Sequence, residues 1–120
     1  MSKRARRRMQ DEAAARLAAG VASYGLGVGA EDILGEDRGS VETAFARQVA
    51  MYLCYTGFEL SLTRVAVAFG RDRSTAAYAC HLIEDRREDA QFDLWIGALE
   101  GLLYDPPPST RGAPPVRVRR

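Results

Sequence analysis

Four consecutive polar residues, Asp72 to Thr75, stand at the start of a predicted helix and could recognise hydrogen-bonding groups on another molecule. Arg73 carries a planar guanidinium that can donate two parallel hydrogen bonds, a geometry that suits the O6 and N7 acceptors of guanine. The hydroxyls of Ser74 and Thr75 can each donate and accept a hydrogen bond. Tyr78 adds a phenol on the same outward side. The spacing therefore predicts a polar surface on the first two turns of one helix.

Two short helices must position this surface. The first has an apolar stripe at i, i+3, i+4 and i+7, formed by Leu62, Val65, Ala66 and Phe69. Ser61 is its predicted N-cap, and Gly70 closes it because glycine can take a positive φ. Only Arg71 separates that glycine from Asp72, the predicted N-cap of the second helix, whose inward residues are Ala76, Ala79, Cys80 and Ile83. This arrangement predicts a helix-turn-helix.

The rest of the chain is also patterned as helix. We expect further helices at about 9–23, 31–34, 41–55 and 90–103, and no segment shows the alternation of a strand. The predicted fold class is an all-α helical bundle that contains the helix-turn-helix. The predicted organisation is a basic N-terminal arm at 1–8, the helical domain at 9–103 and a tail at 104–120. The tail holds all five prolines, and we expect both tails to be disordered.

Charge is strongly segregated along this chain of net charge +1. Residues 1–8 carry five basic groups and residues 109–120 carry four, and neither segment has an acid. Residues 9–108 hold eight basic and 16 acidic residues, a net charge of −8. Such a core does not bind polyanions over its whole surface, so any contact with nucleic acid has to be local. The basic N-terminus can be interpreted as a DNA-binding arm or as a solubility tail, and both alternatives remain open.

Catalytic, metal-binding and membrane-spanning functions find no support in the residues. No nucleophile–base set or phosphate-binding glycine loop is visible, so we expect no enzyme and no cofactor. His81 is the single histidine, and Cys54 and Cys80 form no C-x-x-C pair, so we expect no metal site. The cysteines are interpreted as buried thiols of a cytoplasmic protein. No apolar run approaches the roughly 20 residues of a membrane span.

Two motifs in order carry a resemblance to a known family. The run A-R-Q-V-A-M-Y-L-C (46–54), followed by L-S-L-T-R-V-A-V-A-F-G-R-D-R-S-T-A-A-Y-A-C (60–80), resembles the C-terminal DNA-binding domain of the bacterial replication initiator DnaA. That family reads A-R-Q-x-A-M-x-L and then S-L-P-x-I-G-x-x-F-G-G-R-D-H-T-T-V-x-H-A. Upstream, V-A-S-Y-G-L-G-V-G-A-E-D-I-L (21–34) is similar to the opening of the same domain. The resemblance covers about residues 13–103.

The resemblance implies DNA contacts at particular positions. The arginine of A-R-Q, here Arg47, would enter the minor groove, and the S-L-T segment would touch phosphate through Ser61 and Thr63. The residues that would read the major groove, with the next threonine retained, are Asp72, Arg73, Ser74 and Thr75. From position alone, Arg64 and Arg71 flank this surface and are expected on phosphates. With Tyr78, these residues are the predicted DNA-binding set.

The departures from the family pattern are specific. One glycine of the pair before Arg71 is missing, and Arg73 and Tyr78 stand where the family has histidines. The family's basic loop is here the largely acidic or neutral G-E-D-R-G-S-V-E-T-A (35–44). The chain also has no P-loop, so it lacks the nucleotide-binding part of an initiator. The resemblance therefore implies a DNA-reading domain used alone, with an altered target sequence.

We expect a stand-alone regulator of transcription in the bacterial cytoplasm, associated with the nucleoid. Its partners would be double-stranded DNA and RNA polymerase or another DNA-bound protein. Lone domains of this kind include activators of gene transfer agent clusters, and this chain is a candidate for that group by analogy. Two alternatives remain: a replication-control protein that competes for initiator sites, and an adaptor that docks on a protein partner through the acidic segment after Ile83.

Overall fold

Six helices joined by short connections make up the part of the chain that the computed structural model describes, residues 1–105. They are α1 (Lys3–Leu26), α2 (Ala30–Leu34), α3 (Val41–Gly57), α4 (Leu62–Phe69), α5 (Arg73–Arg86) and α6 (Ala90–Leu102). Residues 1–105 contain no strand, and the predicted all-α fold is confirmed. Residues 106–120 of the predicted tail lie outside the described residues.

Helix α3 lies at the centre of the bundle, in contact with each of the other five helices. Its residues from Val49 to Cys54 are all buried. A helix that is buried on nearly all sides needs apolar residues around its whole circumference, and this stretch supplies them. The Ser40 hydroxyl accepts a hydrogen bond from the Thr43 backbone N–H at 3.1 Å and caps the helix as predicted. Helix α3 therefore holds the helix-turn-helix in place against α1.

Helix α1 starts at Lys3, so the expectation of a disordered arm over residues 1–8 is wrong. The Ser2 hydroxyl accepts a hydrogen bond from the Ala5 backbone N–H at 3.0 Å, which caps the helix nearly two turns earlier than expected. Lysine, arginine and alanine are all good helix formers, and the helix is nucleated by its buried later turns. The basic residues at the N-terminus thus belong to α1.

A polar network fixes α6 against the centre of the bundle. The Arg87 guanidinium donates hydrogen bonds to the Tyr52 hydroxyl and the Glu100 carboxylate, both at 3.1 Å, and also contacts Asp93. Burial lowers the pKa of Arg87, but its hydrogen bonds to Asp93, Tyr52 and Glu100 outweigh this and raise it. Burial, with the hydrogen bond to Glu84, raises the pKa of Tyr52 to about 12. Part of the acidic segment after Ile83 therefore has a structural role.

The two cysteines, Cys54 and Cys80, are free thiols buried in the core. Burial raises the pKa of the Cys54 thiol to about 12 and that of Cys80 to about 11. Both thiols are protonated at neutral pH and unreactive. Across residues 1–105, no group of three or more His, Cys, Asp or Glu side chains is arranged to hold a metal ion. In the same range, no helix has the length and hydropathy that crossing a bilayer requires.

Candidate nucleic-acid interface

The turn between α4 and α5 sets the direction of the second helix. Gly70 adopts a left-handed conformation with φ +66°, as predicted, and its N–H bonds the Ala66 and Val67 carbonyls. The Arg71 N–H also bonds the Ala66 carbonyl, at 2.8 Å. This pattern ends α4 and turns the chain within two residues. Val65, Ala66 and Phe69 of α4 are buried, and α4 packs against α5.

Gly70 offers a clean test of this turn. A Cβ at Gly70 would meet no atom within 4 Å, so Gly70→Ala introduces only the backbone cost of a left-handed residue. We expect it to lower the free energy of unfolding by about 1 kcal/mol. Gly20 is the matched control, because it lies inside α1 and its Cβ would also be in open space. Gly20→Ala should stabilise by about 0.5–1 kcal/mol, and urea denaturation of both variants would show whether the signs differ.

The first two turns of α5 have one buried and one exposed side, as the spacing predicts. The inward residues are Ala76, Ala79, Cys80 and Ile83, all buried. Arg73, Ser74 and Thr75 are exposed, and so is Tyr78, with 64% of its surface accessible. The polar surface is therefore presented to solvent on a helix that is anchored from behind. A groove of a duplex could receive it without any rearrangement of the core.

Asp72 and Ser61 both stand at helix starts but use their side chains differently. The Ser61 hydroxyl accepts a hydrogen bond from the Arg64 backbone N–H at 3.2 Å and caps α4, as predicted. Asp72 occupies the N-cap position of α5 by its backbone, but its side chain makes no capping hydrogen bond. Its exposed carboxylate therefore stays accessible, as does the exposed Thr63 in the first turn of α4.

Arg64 is held in a bidentate ion pair that sequence analysis missed. Its Nε and Nη2 donate to the two carboxylate oxygens of Asp11, at 2.9 and 2.7 Å. These hydrogen bonds raise the pKa of the Arg64 guanidinium. Asp11 lies on α1, 53 residues earlier, so no local spacing could have revealed the pair. Arg64 remains 36% exposed, which leaves part of the guanidinium at the surface.

Arg47 is buried, with only 5% of its surface exposed. Its Nε donates to the Ile33 carbonyl at 2.8 Å, and Nη2 donates to the Asp32 and Asp37 carbonyls at 2.8 and 2.9 Å. Two longer hydrogen bonds, of 3.3–3.4 Å, reach the carbonyls of Arg38 and Gly35. Burial, and then the charge of Arg71, lower the pKa of this guanidinium. Its minor-groove contact stays a prediction, and it requires the side chain to leave these carbonyls.

Arg71 also binds the connection between α2 and α3, residues 35–40, which Arg47 contacts. Its Nη2 donates to the Gly35 carbonyl at 2.9 Å and its Nη1 to the Phe69 carbonyl at 3.1 Å. Backbone carbonyls of the connection between α2 and α3 therefore accept hydrogen bonds from both Arg47 and Arg71. The side chains of Glu36 and Asp37 remain exposed. The acidic and neutral composition of this loop did not predict that its backbone carbonyls bind two arginine side chains.

Arg73 differs from the other basic residues of segment 41–83. Arg47, Arg64 and Arg71 all donate side-chain hydrogen bonds to other parts of the fold. Arg73 forms no side-chain hydrogen bond or ion pair with any residue between 1 and 105, and it is exposed. All five donors of its guanidinium are therefore available to a ligand.

Comparison with known proteins assigns the fold to a family. Residues 15–83 match the model of the bacterial dnaA protein helix-turn-helix. The chain belongs to this family. The match runs from the buried part of α1 to the end of the buried stripe of α5, so both helices of the DnaA-type helix-turn-helix are included. Residues 3–14 of α1 and the whole of α6 lie outside it.

Individual DnaA relatives are similar to only part of this chain. Chromosomal replication initiator protein DnaA 1 of Chlamydia pneumoniae is 42% identical over 74 residues, which are 62% of this chain and 16% of the relative. The DnaA of Aquifex aeolicus is 38% identical over 87 residues, which are 71% of this chain and 21% of the relative. The chain thus corresponds to about one fifth of the length of these initiators.

A solved structure shows the same arrangement in three dimensions. The crystal structure of a DNA replication initiation factor superposes with a TM-score of 0.72 at 30% sequence identity. The superposition covers 83% of this chain and 31% of the other chain. The helical bundle around the DnaA-type helix-turn-helix is therefore shared beyond the two sequence motifs.

Proposed function

We propose that this DnaA-type domain binds double-stranded DNA in a sequence-specific manner and regulates transcription. The observation that carries the proposal is the free, exposed guanidinium of Arg73 on the first turn of α5. In the helix-turn-helix proteins that read DNA, this part of the second helix meets the base edges in the major groove.

The exposed side of α5 supplies groups for direct base readout. Arg73 can pair bidentately with a guanine, and the hydroxyls of Ser74 and Thr75 can bond a base edge or a phosphate. Tyr78 lies one turn further along and is exposed enough to contact a base or the backbone. Asp72 can accept a hydrogen bond from a cytosine amino group, because its carboxylate is not used as a cap.

The phosphate contacts would come from both ends of α4. The first turn of α4 presents backbone N–H groups and the exposed Thr63, and the start of a helix favours an anion. Arg71 and the exposed part of Arg64 lie at the two ends of the same helix and contribute positive charge. Residues 84–105 carry seven acidic and two basic residues. The exposed acids of this segment would offer a docking surface to RNA polymerase or another DNA-bound protein.

Transcription control is favoured over replication control by the altered base-reading residues. Arg73 and Tyr78 stand where the family motif has histidines, so the preferred site should differ from an initiator box. The relatives named as replication initiators are about five to six times as long as the matched segment, so the chain corresponds to one part of them.

Selection from a pool of random duplexes at physiological salt tests the proposal. We expect enrichment of a motif that contains a guanine and that wild-type protein binds at least 1,000-fold more tightly than random duplex. Competition with an initiator box then separates the two kinds of control. Equal affinity for that box would favour the replication-control protein. If no motif is enriched and binding depends only on salt, the proposed function is wrong and the protein-interaction adaptor becomes the better hypothesis.

A further inference from the structure

We propose that the N-terminal turns of α1 form a second DNA contact, which binds the phosphate backbone beside the site read by α5. This inference rests on the proposed function. The contact is a stripe of arginine side chains, Arg4 and Arg7 with Arg8 at its edge, and we call it the α1 stripe. It lies outside the segment that matches the family model.

Helical geometry puts the α1 stripe on the side of α1 that faces α4. At about 100° per residue, Arg4 and Arg7 lie within about 40° of Asp11 around the helix axis. Asp11 is held against α4 by its two hydrogen bonds to Arg64, of 2.9 and 2.7 Å. The stripe therefore continues in the direction of the Asp11–Arg64 pair and extends about 10 Å beyond it.

The ion pair also fixes where a phosphate strand would have to run. Arg64 lies in the first turn of α4, beside the N-cap Ser61 and the exposed Thr63. In the proposed complex this helix start meets a phosphate, since the first helix of such a motif crosses the backbone. A backbone that passes the start of α4 and continues outward reaches the α1 stripe without any change in the fold.

The charges of the α1 stripe are unfavourable in the absence of an anion. Residues 1–10 include five basic residues and no acid. The first turn of α1 has no acidic residue, so basic groups stand at the positive end of the helix dipole. Arg4 and Arg8 also repel each other at the i, i+4 spacing. Of the five basic residues in residues 1–10, only Arg8 has an ion-pair partner among residues 1–105, the exposed Glu12 at 3.9 Å. A phosphate strand would relieve both kinds of repulsion.

An anionic lipid surface is the other polyanion that could attract these residues, and the residue pattern argues against it. Helices that lie on membranes present an apolar face with bulky residues. Residues 3–10 offer only Ala5 and Met9 as apolar side chains. DNA therefore fits the chemistry of the α1 stripe better than a membrane does.

The test compares two double variants that remove the same charge from different sides of α1. Arg4→Gln with Arg7→Gln removes the α1 stripe, whereas Arg6→Gln with Arg16→Gln removes two exposed arginines about 140° away from Asp11. Dissociation constants are measured on the selected duplex between 50 and 200 mM salt. Each lost phosphate contact reduces the magnitude of the negative slope of log K against log salt by about 0.9. We expect a decrease of about 1.8 for the stripe variant and less than half of that for the control.

Shortening the duplex supplies an independent readout. When the base pairs that flank the selected motif are removed, wild type and the stripe variant should bind equally well. Equal slopes for the two variants on the long duplex, or a stripe effect seen only on anionic vesicles, would overturn the inference. If wild type selects no motif, the proposed function itself fails. The two failures are therefore distinguishable.

Discussion

Replacing Arg47 with alanine lowers the free energy of unfolding by about 3 kcal/mol, because it removes a buried guanidinium whose hydrogen bonds reach five backbone carbonyls. Five backbone carbonyls lose their shared donor: those of Asp32 and Ile33 in α2, and those of Gly35, Asp37 and Arg38 in the connection to α3. Unfolding in urea, followed by circular dichroism, measures the loss. Binding to the selected duplex should weaken only as far as the folded fraction falls.

Arg38→Ala is the matched control for this experiment. Arg38 belongs to the same loop and its side chain is exposed, while its carbonyl still accepts from Arg47 in the variant. We expect its stability to stay within about 0.5 kcal/mol of wild type. If Arg47→Ala instead leaves stability unchanged and abolishes DNA affinity, the structural role of Arg47 is refuted and the minor-groove contact is supported.

Replacing Arg73 with alanine weakens binding to the selected motif by about 10- to 100-fold, the cost of losing one bidentate contact with a guanine. Stability should not change, because the side chain is exposed and has no partner within residues 1–105. Binding to random duplex should change little in comparison. Titrations on both duplexes, with a repeat of the selection, would show the preference relaxed at one position.

Arg16→Ala controls for the loss of one positive charge. Arg16 is exposed on α1, on the side that faces away from Asp11, so it lies on neither proposed contact surface. We expect Arg16→Ala to weaken binding to the selected duplex and to random duplex by the same small factor. If Arg73→Ala and Arg16→Ala behave alike, direct base readout through Arg73 is contradicted.

Local patterns were enough to predict the helices and the turn. The positive φ of Gly70, the caps at Ser40 and Ser61 and the inward side of α5 all depend on residues within a few positions of one another. Neighbouring residues determine such short-range preferences, so the sequence is enough to predict them. The start of α1 was predicted wrongly because a run of arginines was interpreted as a tail, although arginine is a good helix former and Ser2 can cap it.

The partners of the arginines could not be predicted in the same way. Arg47, Arg64, Arg71 and Arg73 are the same residue type within one segment. Helix position or the family motif predicts a DNA contact for each of them. Only the tertiary structure shows that Arg64 pairs with Asp11, 53 residues away on α1. Spacing also does not reveal that Arg47 donates to backbone carbonyls of α2 and of the connection that follows it. Every residue type has a backbone carbonyl, so the sequence does not mark which ones act as acceptors.

The sequence by itself determined that this protein is an all-helical DnaA-type domain with an exposed polar start to α5, because caps, periodicity and motif spacing are local properties. The tertiary structure decided which positive charges are available to a ligand. Packing brings Asp11 and the loop carbonyls to three of the four arginines, and Arg73 is left without a partner among residues 1–105. Availability depends on contacts between distant segments, and a chain acquires those only on folding.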